Sequence, residues 1–190
     1  MDKLKIGSHY SNDEIRKNFS CSLFSGMNKS NTTNTLVLIA NHVKSIYEDT
    51  WDNDVMYYTG MGRKGDQKLK GNQNITLYES DTNSIDVHFF EVLTEKVYTY
   101  QGQVVLVDKP FQELQDDEDG NSRNVWIFPL KRKDGTTPVI PKKELDKTFE
   151  RKVKRVSTLT LDELKIKASK STSKPGSRVA TTTSYQRDPN

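Results

Sequence analysis

The stretch YYTGMGRKGDQ at residues 57–67 puts glycines at 60, 62 and 65, the GxGxxG spacing of dinucleotide-binding turns. That chemistry needs a strand before the glycines, a helix opening on them and a βαβ unit around them, so that a pyrophosphate rests on a helix N-terminus. The strand is present as DVMYYTG (54–60). The following DQKLKGNQN contains Gly71 and two asparagines and carries no apolar stripe. No alternation of strand and helix comes after it. Context therefore argues against a nicotinamide cofactor, and the lack of Gly-Lys-Ser/Thr argues against a phosphate-binding P-loop.

A different chemistry fits the residues just upstream. Tyr47 and Tyr58 bracket two acids, Glu48 and Asp49, and Tyr58 runs into Thr59 and Gly60. Two rings can stack on the faces of a planar base, and a carboxylate can accept hydrogen bonds from an exocyclic amino group. Glycines let backbone amides approach a base edge or a phosphate without a side chain in the way. A plainer reading stands beside this one, with both tyrosines in the core and the acids in a solvated turn. Arg63, Lys64, Lys68 and Lys70 follow the glycines and suit phosphate contacts or a solvated basic loop. Met61 suits a wedge entering the gap left by an extruded base, or packing filler. Asp66, Gln67, Asn72 and Asn74 suit side-chain support of the loop.

No other catalytic or metal-binding constellation is readable. The three histidines, His9, His42 and His88, are far apart, without acids or cysteines at ligand spacing, and His88 alternates with core positions on a strand. The single Cys21 reads as a small buried hydrophobe. The run DDED at 116–119 lacks calcium-loop spacing and reads as a solvated turn. The expectation is a chain with no catalytic residue, no metal site and no cofactor of its own.

The elements that would position these residues are mostly strands. Of 190 residues 33% are apolar and 29% charged, with a net charge of +3; acids concentrate before residue 131 and bases after it. The runs at 35–41, 54–60, 84–93, 97–107 and 124–131 read as strands. Glu95-Lys96 marks a hairpin and Asp119-Gly120 a second turn. This predicts a mainly β fold with flanking helices (α+β), its antiparallel sheet curled into a barrel. Helices are expected at 11–19, behind a capping residue, and at 141–157, where Leu145, Phe149, Val153 and Val156 form a stripe. Residues 167–190 are Ser/Thr/Lys-rich and read as a linker. No apolar run reaches membrane-spanning length and the N-terminus has no hydrophobic signal region, so a cytoplasmic location and no membrane partner are expected.

Taken in order, the blocks YEDTWDNDVMYYTGMGRKGDQKLKGNQN, YTYQGQVVLV and VWIFPLKR resemble the SET-and-RING-associated (SRA) domain over about residues 30–133. The likeness is strongest to SRA-like domains that precede HNH nuclease domains in bacterial modification-dependent restriction enzymes. The resemblance implies a curved, partly closed SRA/PUA-like β-barrel that flips 5-methyl- or 5-hydroxymethylcytosine out of duplex DNA. Tyr47 and Tyr58 would stack on the base, Asp49 or Glu48 would read its edge, and Thr59 and Gly60 would line the wall. It further implies the organisation 1–133 recognition domain, 134–166 basic helical segment and 167–190 tether to an HNH domain. A divalent metal would be expected only in that nuclease, and a homodimer is possible through the full-length protein. The rival expectation is an RNA- or small-ligand-binding PUA-like module.

Overall fold

Strand β3 (Thr35–Asn41) is the apolar run TLVLIAN, and it has no polar face because both of its faces are covered. The computed structural model describes residues 4–43, 47 and 49–137. On one side Leu36, Leu38 and Ala40 join Met56, Tyr58, Phe89, Phe128 and Leu130 in a core cluster. On the other side Val37 and Ile39 join Ile15, Phe19, Phe90, Val92 and Tyr100. The second cluster is roofed by α1 (Asn12–Phe19), which the sequence places one residue early. Ser11 caps it: its hydroxyl accepts from the Glu14 N–H, and the Glu14 side chain returns a bond to the Ser11 N–H.

Around β3 the sheet runs β2 (Met27–Ser30), β3, β6 (Asp86–Thr94), β7 (Val97–Leu106), β9 (Ser122–Arg132), β5 (Val55–Thr59) and β4 (Thr50–Asp52). Strand β1 (His9–Tyr10) pairs with β7, and β8 (Phe111–Asp116) pairs with β9. The fold is thus mainly β with two helices among the described residues. The sheet is not closed, since β2 and β4 end the path without pairing to each other. Thr94 pairs with Val97, leaving Glu95-Lys96 as the expected two-residue turn, with Lys96 at φ 64°.

The expectation of a wholly antiparallel sheet is corrected at one pair. Strands β3 and β6 run parallel, from Thr35 opposite Asp86 to Asn41 opposite Val92. Parallel neighbours need a long crossover. Here that crossover, residues 42–85, contains β4, β5 and the short helix α2 (Gln73–Tyr78). Every candidate site residue from Tyr47 to Asn74 therefore rides on one connection. The segments expected at 134–166 and 167–190, including the 141–157 helix, lie outside the described residues apart from 134–137.

Candidate functional site

Asp49 sits just before β4, 9% exposed, and its Oδ1 accepts the Thr59 N–H at 2.8 Å. Burial pushes its carboxyl up to about 6, against the opposing pull of the Thr59 amide and of His42, while the neighbouring Glu91 charge pushes it further up. Asp49 is thus an ionised acceptor at neutral pH, held on β5 beside a backbone donor. Tyr47 is partly exposed, and its hydroxyl donates to the Gly62 carbonyl at 3.0 Å.

Tyr58 occupies the position of the plainer expectation. It is 2% exposed, donates to the Gly26 carbonyl at 2.7 Å, and meets Phe89 edge-to-face at 6.1 Å between ring centres. A Cβ at residue 26 would come within 2.8 Å of that hydroxyl, so glycine there lets the ring lie flush in the core. Burial raises the phenol well above its ordinary value. Glu48, the alternative edge reader, lies outside the described residues.

The glycine stretch is a loop laced by amide side chains, not a turn into a helix. Gln67 donates from Nε2 to the Gly60 carbonyl and accepts the Trp126 N–H at 2.9 Å. Asn74 accepts the Met61 N–H at 2.8 Å and donates to the Met61 carbonyl at 3.0 Å and to Lys68 at 2.9 Å. Asn72 caps α2, and Asp66 accepts the Asn124 N–H at 2.7 Å. A Cβ on Gly60 would lie within 2.8 Å of Gln67 Oε1 and 2.9 Å of Asn74 Oδ1, so both amides need glycine there. Gly62, at φ +134°, takes a conformation that side chains rarely adopt. Strand β5 runs antiparallel to both neighbours and α2 starts at Gln73, beyond the glycines, which removes the βαβ context of a dinucleotide site.

Met61 takes the packing-filler alternative, set against the apolar cluster under β5, while one expectation for this loop changes. The DDED turn, expected to be solvated, docks on the loop: Asp117 accepts the Gly65 N–H at 3.3 Å and the Glu118 N–H donates to the Arg63 carbonyl at 3.3 Å. Arg63 then pairs with Glu118 at 2.8 Å and Lys64 with Asp119 at 2.9 Å. Lys68 and Lys70 are exposed. No cluster of three or more metal-ligating side chains exists among the described residues.

A family model described as the ScoMcrA-like SRA domain matches residues 6–151. The chain belongs to this family. Solved SRA structures share its fold. ScoMcrA, described as a type IV phosphorothioation-dependent restriction endonuclease, matches with a TM-score of 0.58 and 18% identity over 77% of this chain and 28% of that one. A structure of its sulfur-binding and SRA domains with phosphorothioated DNA matches at TM-score 0.57 and 17% identity, covering 78% of this chain and 45% of that one. The SUVH5 SRA domain bound to fully hydroxymethylated CG DNA gives TM-score 0.55 and 22% identity over 74% of this chain and 95% of that one. Comparison with curated protein sequences gives no match.

Within this SRA domain, Arg132, 6% exposed, and two buried charges nearer the site were passed over in the sequence. Glu91 of β6 is 0% exposed; its Oε1 lies 3.0 Å from both Trp51 Nε1 and His42 Nε2, and its Oε2 has no partner. Arg123 of β9 is 3% exposed and donates from Nη1 to the Gly62 and Gly65 carbonyls, with its Cζ 6.0 Å from the Tyr47 ring centre. Its Nε and Nη2 are buried without partners. The available signal for Glu91 was a single charge inside the apolar strand HFFEVL. For Arg123, in SRNVW, the sequence offers none.

Proposed function

We propose that this SRA domain binds duplex DNA carrying a 5-modified cytosine, extrudes that base, and holds it against the wall made by Tyr47, Asp49, Thr59 and Gly60. The observation that carries the reading is the buried Asp49 carboxylate, which the Thr59 N–H holds through Oδ1 and so orients as an acceptor on this wall. Cytosine presents the complementary edge, an exocyclic amino donor next to ring acceptors. Family membership and the modified-DNA complexes of SUVH5 support the same assignment. Tyr47 supplies a ring face at the wall, and Tyr58 backs that wall from the core. Stacking contributes on the order of 1–3 kcal/mol per base, and together with the edge contacts it offsets an extrusion cost of a few kcal/mol. Lys68 and Lys70, with Arg63 and Lys64 once released from the acidic turn, contact phosphates. In this reading the chain is the recognition part of a modification-dependent restriction endonuclease, and cleavage belongs to a separate nuclease domain.

The test is fluorescence anisotropy with matched duplexes bearing cytosine, 5-methylcytosine or 5-hydroxymethylcytosine, and with RNA of equal length. Tighter binding to one or both modified duplexes is expected, with 2-aminopurine beside the target brightening as the base leaves the stack. Equal affinity for all three duplexes sinks the proposal, and preference for RNA restores the single-stranded alternative.

A further inference from the structure

In the sequence, Tyr47 and Asp49 fall in the span between His42, just past β3, and Trp51 of β4. Both ends of this span meet at one atom. His42 Nε2 at the start and Trp51 Nε1 at the end each lie 3.0 Å from Glu91 Oε1. Glu91 stands on β6, between Phe89 of one core cluster and Val92 of the other, in a strand paired on both sides by β3 and β7. Its position is therefore fixed by the centre of the sheet. Trp51 is also held by its ring, edge-to-face on Phe89 at 6.1 Å, the same ring that Tyr58 meets.

This arrangement is poorly explained as a device for stability. A buried carboxylate with only one oxygen engaged leaves the other desolvated and unpaired, which disfavours the folded state. It also pushes up the neighbouring Asp49 carboxyl. An apolar side chain in β6 would avoid both penalties. What the carboxylate does accomplish is geometric, since one acceptor sets the distance between the two ends of the span that presents Asp49 to Thr59.

We infer that Glu91 is a positioning residue for modified-base recognition: by holding His42 and Trp51 on one acceptor it fixes where Asp49, two residues before Trp51, stands. The inference rests on the proposed base pocket. The clamp acts on discrimination, because Asp49 must meet a base edge within hydrogen-bond tolerance. General duplex affinity rests on cations of the glycine loop, which Glu91 does not touch.

The experiment compares affinity for modified and unmodified duplexes in the wild type, Glu91→Met, Glu91→Gln and Trp51→Phe, with melting temperature recorded for each. Glu91→Met should reduce the modified-to-unmodified affinity ratio by about tenfold or more, the scale of losing hydrogen bonds to a charged group, while binding of the unmodified duplex stays within about twofold. Glu91→Gln keeps a carbonyl acceptor for both N–H groups and should restore most of the ratio. Trp51→Phe removes one donor without touching Glu91 and should lower the ratio part of the way; it also decides the matter if Glu91→Met does not fold. A wild-type ratio retained in Glu91→Met, or in Trp51→Phe when the first variant is unfolded, overturns the inference and leaves the base pocket standing. Equal loss in Glu91→Gln and Glu91→Met assigns the effect to charge and likewise overturns the clamp. A wild type with no preference for modified duplex overturns the pocket itself, and the clamp with it.

Discussion

The two faces of the sheet are built to different rules. Under α1 the filling is aromatic and aliphatic: Phe90 lies 6.0 Å from Phe19 and 4.9 Å from Tyr100 between ring centres, with Tyr10 6.4 Å from Tyr100. The buried polar ring there, His88, lies 2.7 Å from the Tyr100 hydroxyl. The opposite face has an equally apolar centre, yet its margin holds Asp49, Glu91 and Arg123, two of them with buried polar atoms left unpartnered. One face is arranged for stability, whereas the other gives up stability to place particular atoms. Proteins retain such local inconsistencies mainly where function requires them.

That contrast can be broken at several points. The largest effect is expected from Phe90→Ala, which should lower stability by about 3–5 kcal/mol in chemical denaturation. It should leave the modified-to-unmodified affinity ratio intact, since it opens a cavity on the face away from the candidate pocket; a collapsed ratio would erase the division between the faces.

Asp49→Asn should do the reverse. The folded carboxyl, pushed up to about 6 from 3.8, favours its protonated form, so wild-type stability from this group is full below 3.8 and falls as pH rises through 6. The asparagine variant escapes that loss. Its stability gain should grow between pH 4 and 6 and level off above, at up to about 3 kcal/mol by the free energy of two pKa units. Discrimination of modified duplex should disappear in the same variant. A gain independent of pH would mean that burial does not raise the Asp49 carboxyl in the fold.

On the α1 face the pH dependence runs the other way. Burial lowers His88 from 6.5 to about 4, so the stability due to its neutral ring is present above 6.5 and is lost as pH falls through 4. His88→Gln should flatten that acid limb in pH-dependent melting, with duplex preference unchanged. The smallest effect is expected for Glu118→Gln, which frees Arg63 and weakens the hold on Lys64. Melting temperature should not move, because exposed pairs contribute little, and affinity for modified and unmodified duplexes should rise together.

Much of this division was legible in the sequence. The strand at 35–41 was readable because a strand buried on both faces is apolar throughout, and those at 84–93 and 97–107 because apolar positions recur on either side of the Glu95-Lys96 turn. The same logic hid β4 and β8, whose residues TWD and FQELQD lie at margins of the sheet and are mostly exposed. Parallel pairing of β3 with β6 was not legible, since a long crossover carries no local sign of the strand it returns to. At the site, Asp49 and Tyr47 stood out by type and spacing, while for Tyr58 the core reading, equally open in the sequence, is the one the fold takes. Glu91 and Arg123 were missed because a charge reads as solvated unless its neighbours are already known to enclose it.

The acidic turn on the glycine loop has a consequence for how salt should act. With Arg63 and Lys64 already held by Glu118 and Asp119, a phosphate arriving there exchanges one anion for another. The two carboxylates set free gather cations as the DNA sheds them, so the net ion release at these positions is close to nil. On the proposed reading, the salt slope of duplex binding reflects Lys68 and Lys70 more than the four cations in the sequence, and binding persists to higher ionic strength than a count of charges suggests.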